Sequence, residues 1–402
     1  MTTDLTTSTD FIQLEDRLGA HNYHPLDVVI HRAGGIWVWD VDGKRYMDCL
    51  ASYSAVNQGH CHPRILDTLQ KQAATVTLTS RAFRNDQLPL LYQKLHDVTG
   101  MTMFLMMNSG AEAIETAVKA ARKWGYTRKG IPDNQAEIIV AANNFHGRTT
   151  TVISFSTEQQ YRDGFGPFTP GFRIVPFGDA AAIREAITPN TAAVLIEPIQ
   201  AEAGILIPPD GYLREVESIC RENQVLFIVD EIQTGFGRTG RLFAHQHEGV
   251  TPDMIVVGKA LSGGYYPVSA VLSTPEVLGV FRPGDHGSTF GGNPLGCAVA
   301  CTAIDVIMDE NLVDRSREVG AYFLSRLQSI RHPKVKEVRG RGLLIGFELT
   351  QKARPLVLKL QELGVLCKDT HETIIRFTPP LVISREDIDW AVEQVRIALQ
   401  DF

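Results

Sequence analysis

Short apolar runs rich in valine and isoleucine alternate with segments of helical period through the middle of the chain. The runs fall at Glu137–Val140, Thr151–Phe155, Ala192–Ile196, Val225–Val229 and Met254–Val257. They lack the apolar–polar alternation of a half-exposed strand, which predicts a parallel sheet covered on both faces. Between them, Glu112–Trp124 and Tyr212–Glu222 keep their apolar residues on one helical face. Upstream, Gly35–Asp48 alternates apolar and polar positions around Asp42-Gly43, a hairpin signal. Downstream of Asn311 the texture shifts to a long amphipathic helix, a strand over Gly340–Leu349 and a helix near Pro355–Leu363. Strands near Val365 and Ile374 and a last helix follow. Ser384 and Asp387 form a capping box for that helix, and Ile388, Ala391, Val392, Val395 and Leu399 repeat at its period. The pattern predicts an α/β protein in which a large domain (54–310) is flanked by a small domain. The small domain is built from an N-terminal segment (1–53) and a C-terminal one (311–402).

Composition narrows the class. A chain of 402 residues with 44% hydrophobic and 21% charged residues is ordinary globular material, so disorder, collagen and coiled coil are excluded. The net charge of −7 exerts no global pull on nucleic acid or an anionic membrane. The longest uncharged stretch, around 288–304, is broken by glycines and a proline and cannot supply the ~20 apolar residues of a membrane span. MTTDLTTSTD has acids before any base and no apolar core, unlike a signal or transit peptide. The six cysteines contain no C-x-x-C; they read as reduced thiols of a cytoplasmic protein.

Three constellations carry candidate chemistry. In Met107-Asn-Ser-Gly-Ala-Glu112, Ser109 ends a strand and Glu112 completes a capping box. That is either a capped helix alone or an anion cradle made of the Ser109 hydroxyl and the N–H groups of Gly110 and Ala111. In Val225-Leu-Phe-Ile-Val-Asp-Glu-Ile-Gln233, Asp230 stands at the carboxyl end of a buried strand, where ligands bind in parallel sheets; an ordinary turn aspartate is the plain alternative. In Ile255-Val-Val-Gly-Lys-Ala-Leu-Ser-Gly-Gly264, Lys259 follows a strand directly. It is either a solvated loop lysine or an amine kept neutral by desolvation, able to condense with an aldehyde. Together, an anion cradle, a strand-end acid and a strand-end lysine meet the requirements of pyridoxal phosphate. Asn143-Phe-His-Gly-Arg148 adds an aromatic ring, Phe145, and an arginine suited to a carboxylate. No Walker A, G-x-G-x-x-G, G-x-S-x-G or zinc frame is present, and the histidines at 21, 24, 60, 62, 245 and 247 lack ligand spacing.

From about Leu18 to the C-terminus the chain resembles the class III, fold type I pyridoxal-phosphate aminotransferases. The stretches that carry the resemblance include HNYHP (21–25), SYSAVNQGHCHP (52–63) and MNSGAEAIETAVKAARKWGY (107–126). LTSRAF (78–83), GFGPFTPGF (164–172), DEIQTGFGRTG (230–240), GKALSGGYYPVSAV (258–271) and HGSTFGGNPLGC (286–297) complete the set. The family implies a large domain with a mostly parallel seven-stranded sheet flanked by helices, a small α+β domain, and pyridoxal 5'-phosphate as cofactor. By motif, Lys259 matches the lysine that joins the cofactor and shuttles the proton, and Asp230 the acid on the pyridinium nitrogen. Gln233 matches the partner of the phenolic oxygen, and Phe145 the stacking ring. Ser109, Gly110 and Ala111 match the phosphate site, which Thr289 of a neighbouring subunit completes; this implies a homodimer or a dimer of dimers.

Within the family, HNYHP and SYSAVNQG resemble the branch acting on ornithine rather than those acting on N-acetylornithine or 4-aminobutyrate. The implied reaction moves the δ-amino group of ornithine to 2-oxoglutarate, with no nucleic-acid or membrane partner. Arg148 then resembles the residue for ornithine's α-carboxylate, Tyr23 the one engaging its α-amine, and Tyr53 a pocket wall. Arg376 resembles the grip on the α-carboxylate of 2-oxoglutarate, and Glu202 the acid that covers that arginine in the other half-reaction. The family's Gly-Glu-Ala-Gly reads Ala201-Glu-Ala-Gly204 here, which predicts a stiffer backbone around Glu202 if glycine's freedom is used there.

Overall fold

Alternation around Asp42-Gly43 produces the hairpin it predicts. In a computed structural model describing residues 5–400 and Phe402, β1 (Ile30–Gly34), β2 (Trp37–Asp40) and β3 (Arg45–Asp48) form an antiparallel ribbon. Gly43 takes the positive φ of +88° at the tip. The first four residues of the N-terminal decapeptide lie outside the described residues.

Seven further strands build the central sheet: β4 (Met103–Met107), β5 (Glu137–Ala141), β6 (Phe172–Val175), β7 (Thr191–Ile196), β8 (Leu226–Asp230), β9 (Met254–Val257) and β10 (Ser269–Ser273). Their order is β4-β10-β9-β8-β7-β5-β6. β10 runs antiparallel to both neighbours and the other pairs are parallel. The pleat sends alternate residues to opposite faces. Ile138, Val140, Ala193 and Leu195 enter the cluster under α1 (Gly110–Trp124), while Ile139, Val194, Ile196 and Phe227 enter the larger core on the other side. Burial on both faces is the physical reason these strands read as unbroken apolar runs.

The C-terminal third adds α2 (Pro294–Asp309), α3 (Leu312–Gln328), and a four-stranded antiparallel sheet of β11 (Val335–Arg341), β12 (Leu344–Leu349), β14 (Lys368–Thr370) and β15 (Ile374–Phe377). Between these, β13 (Val365–Leu366) leaves to pair in parallel with β3, so both ends of the chain share one sheet. In the last helix, α4 (Arg385–Gln400), the Ser384 hydroxyl accepts from Asp387 N at 3.1 Å, and Asp387 Oδ2 accepts from Ser384 N at 3.1 Å. Trp390 on α4 packs edge-on against Trp37 of β2, 5.6 Å between centroids.

Two expectations are corrected. Thr151–Phe155 is not a strand: Thr149 caps a short helix over Thr150–Ile153, accepting from Val152 N, and Val152, Ile153 and Phe155 turn inward. Gly340–Leu349 is not one strand but the meeting of β11 and β12, because Gly342 adopts a positive φ of +56° and turns the chain. Among the described residues, no helix is long and apolar enough to cross a membrane.

Candidate active site

The carboxyl ends of β5, β7, β8 and β9 and the start of α1 surround one cavity. Gly110, Ala111, Phe145, Asp230, Gln233 and Lys259 all line it, joined by His146, Gly147 and Glu197. Ser109 caps α1 as its sequence predicts: its hydroxyl accepts from Glu112 N at 3.2 Å, and Glu112 Oε2 accepts from Ser109 N at 2.7 Å. A cap satisfies only part of the first helical turn. It leaves the N–H groups of Gly110 and Ala111 without helical acceptors where both residues line the cavity, with the positive end of the helix dipole behind them. Ser109 itself is exposed and does not line the cavity.

Asp230 is buried at the end of β8. Its Oδ1 accepts from Ile232 N at 3.0 Å and its Oδ2 lies 2.7 Å from His146 Nδ1. A carboxylate only accepts, so the imidazole donates from Nδ1, and its Nε2 is left buried without a partner. Glu197, one residue past β7, is a second buried acid, and its Oε2 accepts from Phe145 N at 3.0 Å. Burial first, and then the nearby Asp230, push its carboxyl well above the usual range. Lys259 holds a positive φ of +43°, a conformation non-glycine residues rarely take, and extends into this space. Desolvation lowers its amine's pKa, more than the attraction of Glu202 and Asp230 restores it.

An outer cavity shares Phe145 and Lys259 and adds Tyr23, Tyr53, Arg148, Glu202, Lys368 and Arg376. Arg376, buried on β15, donates from Nη1 to Glu202 Oε1 at 2.5 Å, and Gln233 Nε2 donates to the same oxygen at 3.1 Å. Burial opposes the charge on Glu202, but Arg376 and Lys259 outweigh it and hold that carboxyl below its ordinary value. Ala201 does not adopt a positive φ; the left-handed freedom sits at Gly204, φ +103°. The alanine therefore costs the backbone nothing at its own position. Arg148, by contrast, is exposed, stands over the Phe145 ring and hydrogen-bonds only to phenols: Nη1 reaches the Tyr23 hydroxyl and Nη2 the Tyr161 hydroxyl, both at 3.4 Å.

Tyr53 arrives on an unusual backbone. Ala51, Ser52, Tyr53 and Ser54 have φ values of 49°, 48°, 58° and 72°, a left-handed turn that costs roughly 1–2 kcal/mol per residue. Asp48 Oδ1 accepts from Leu50 N and Ala51 N at 2.8 and 2.9 Å and anchors the turn. Thr289 is exposed and lies off both cavities, on a loop whose Ser288 hydroxyl accepts from Asn108 Nδ2 at 3.0 Å. The histidines dismissed as ligands have other partners: His60 meets Asp48, His62 meets Glu310 and His245 meets Glu231.

His146, Glu197 and Lys368 escaped the sequence reading. Glu197 had a usable signal, since it follows an apolar parallel strand just as Asp230 does. His146 lies in Asn143-Asn-Phe-His-Gly-Arg148, but its use emerges only when the sheet brings the loop after β5 to the end of β8, with β7 between them. Lys368 sits in a three-residue strand with no pattern to mark it.

The donor set fits an anionic aromatic aldehyde: free N–H groups at a helix start, a ring to stack, an acid held by an imidazole, and a desolvated amine. The class-III aminotransferase family matches residues 18–399. The chain belongs to the class-III aminotransferases. This aminotransferase has pyridoxal 5'-phosphate as its cofactor and the fold type I architecture. It is 61% identical to the ornithine aminotransferase of Brevibacillus brevis, across 96% of this chain and 97% of that one. Among solved structures, the ornithine aminotransferase of Toxoplasma gondii superimposes with a TM-score of 0.97 at 44% identity, covering 99% of this chain and 96% of the other. The acetylornithine aminotransferase of Elizabethkingia anophelis reaches 0.91 at 46% identity, covering 99% and 100%. The overall shape therefore does not separate the two substrates.

Proposed function

We propose that this aminotransferase moves the δ-amino group of L-ornithine to 2-oxoglutarate in two half-reactions of a ping-pong cycle. The first yields glutamate 5-semialdehyde and the second yields L-glutamate. The observation that carries this reading is the Glu202–Arg376 pair at 2.5 Å. A terminal amine must reach Lys259 while the α-carboxylate is held at a distance. An uncovered Arg376 would attract that carboxylate and present the wrong amine. Glu202 covers it, while Arg148, bonded only to phenols, is free to take the carboxylate at the far end. Tyr23 then engages the α-amine and Tyr53 walls the pocket. When the dicarboxylate enters, Glu202 yields and Arg376 grips its α-carboxylate. The 61% relative from Brevibacillus brevis supports the same substrate.

The cofactor, when bound, supplies an electron sink next to the carbon that carries the amine. Lys259 Nζ would be the group that holds the cofactor and that takes the proton from that carbon and returns it. Its depressed basicity supports this role, because the neutral amine is the form that reacts. Asp230, oriented by His146 and Ile232 N, would be the partner of the ring nitrogen. Phe145 would cover the ring, Gln233 would meet the phenolic oxygen, and Gly110 and Ala111 would hold the phosphate, with Ser109 reaching it from the rim. Thr289 serves the site of a second copy; its exposure off its own cavity supports a homodimer. The joining of β13 to β3 supports the division into a large domain (54–310) and a small one from both chain ends.

Initial rates with ornithine, N-acetylornithine and 4-aminobutyrate against 2-oxoglutarate decide the substrate. Ornithine is expected to give the highest kcat/KM. A higher value for N-acetylornithine defeats the assignment.

A further inference from the structure

None of these roles uses one cation of the outer cavity. Lys368 opens β14 and sits opposite Arg376 in the register of β14 against β15. Its ammonium donates to the Tyr53 hydroxyl at 3.3 Å and stands 5.9 Å and 6.0 Å from the ring centroids of Tyr23 and Tyr53. Each of those rings also faces an arginine. Arg148 is 5.5 Å from the Tyr23 centroid and Arg376 is 5.1 Å from that of Tyr53. The cavity wall is thus a row of three cations with two phenols between them, and Lys368 is the middle cation.

Its acidic neighbours are engaged elsewhere. Asp369 bonds Arg354 at 3.1 Å and Glu202 bonds Arg376. Among the described residues, Lys368 makes no ion pair. A half-buried ammonium without a counter-ion, beside a cavity, attracts an anion more strongly than a solvated one would.

We infer that Lys368 is a specificity-determining cation that favours the dicarboxylate substrate over ornithine; this rests on the substrates proposed above. The reason is the charge at the end of each substrate that lies away from Lys259. Ornithine presents an α-carboxylate and an α-ammonium there, which cancel. 2-Oxoglutarate presents a bare carboxylate. The ammonium gains from the second and not from the first. It also keeps the wall positive whether or not Glu202 covers Arg376, so the preference does not depend on that switch.

Lys368→Met in the holoenzyme removes the charge and keeps an apolar stem against the rings. KM for 2-oxoglutarate is expected to rise about tenfold or more, the scale of one charge-assisted hydrogen bond, while KM for ornithine stays level or falls. Calorimetric titration with glutarate, an unreactive dicarboxylate, is expected to show the same loss of affinity. Lys368→Arg should restore both. Lys368→Gln, which keeps a donor for Tyr53, should behave as the methionine variant does and covers the case of misfolding. A lysine that merely holds Tyr53 in place would move both KM values in one direction and spare the glutamine variant; that pattern, or unchanged glutarate affinity, overturns the inference. Absence of ornithine turnover in the wild type refutes the substrate assignment instead, and the glutarate titration still reports on Lys368.

Discussion

Glu197 and Asp230 line one cavity but receive different donors. Asp230 receives donors from His146 and Ile232 N, whereas Glu197 receives one from Phe145 N. Desolvation, then Asp230, raise the Glu197 carboxyl, so the folded protein keeps a proton that the unfolded chain has released. Stability from this group is full below the unfolded value near 4.5 and declines as pH climbs through the folded value. Glu197→Gln removes the titration and retains a carbonyl for Phe145 N. The urea midpoint of the wild type is therefore expected to drop relative to that of the variant between pH 4.5 and 8. Parallel curves would mean that Glu197 is ionised in the fold. Asp230 and Lys259 were legible in the sequence because each follows an apolar strand abruptly. Pairs such as Glu202–Arg376 were not, because only the packing of two sheets brings together residues so far apart in the chain; the resemblance supplied them.

At the level of elements, the start of α1 depends on a glycine. Gly147 has φ +123°, and a Cβ there would lie 2.9 Å from the Cβ of Ala111. Gly147→Ala pushes against the first turn that bears the free N–H groups. Cofactor affinity is expected to fall about tenfold or more, consistent with the loss of even one hydrogen bond to a charged group, with unchanged far-ultraviolet dichroism. A spectrophotometric titration with pyridoxal phosphate checks it, and wild-type affinity would show that the turn relaxes freely. Strands with β-branched, buried apolar runs, β5, β7, β8 and β9, could be read from pattern alone. β4 could not, because MFLMM carries no β-branched residue, and β10 begins and ends in serine. Phe172–Val175 is an edge strand with two exposed positions, too short and too polar to stand out. Thr151–Phe155 has strand composition, yet the Thr149 cap and the burial of Phe155 against Phe172, 4.4 Å between centroids, make it helical; tertiary context overrode propensity.

Across the whole molecule, distant segments are held by a single buried arginine. Arg238 is fully buried; Nη1 donates to Leu343 O at 2.9 Å and Pro379 O at 2.6 Å, and Nη2 donates to Asn57 Oδ1. Burial lowers its pKa to about 9, which still leaves it charged at neutral pH. Arg238→Met strands three buried acceptors and is expected to destabilise the fold by about 3 kcal/mol or more, read from urea unfolding at pH 7. A loss under about 1 kcal/mol would mean that water replaces the guanidinium. The net charge of −7 says nothing of the cationic wall inside, so global charge and site charge are separate properties here. The sheet shared by the two chain ends also sets an order of events during synthesis. Its hairpin is synthesised ahead of the strand that covers the outer edge of β3, which begins only at Val365. At about 5–20 residues per second, that edge waits roughly 15–60 s for its partner. The hairpin is thus made long before its sheet is finished, and for that interval an open strand edge is exposed to pairing with other chains.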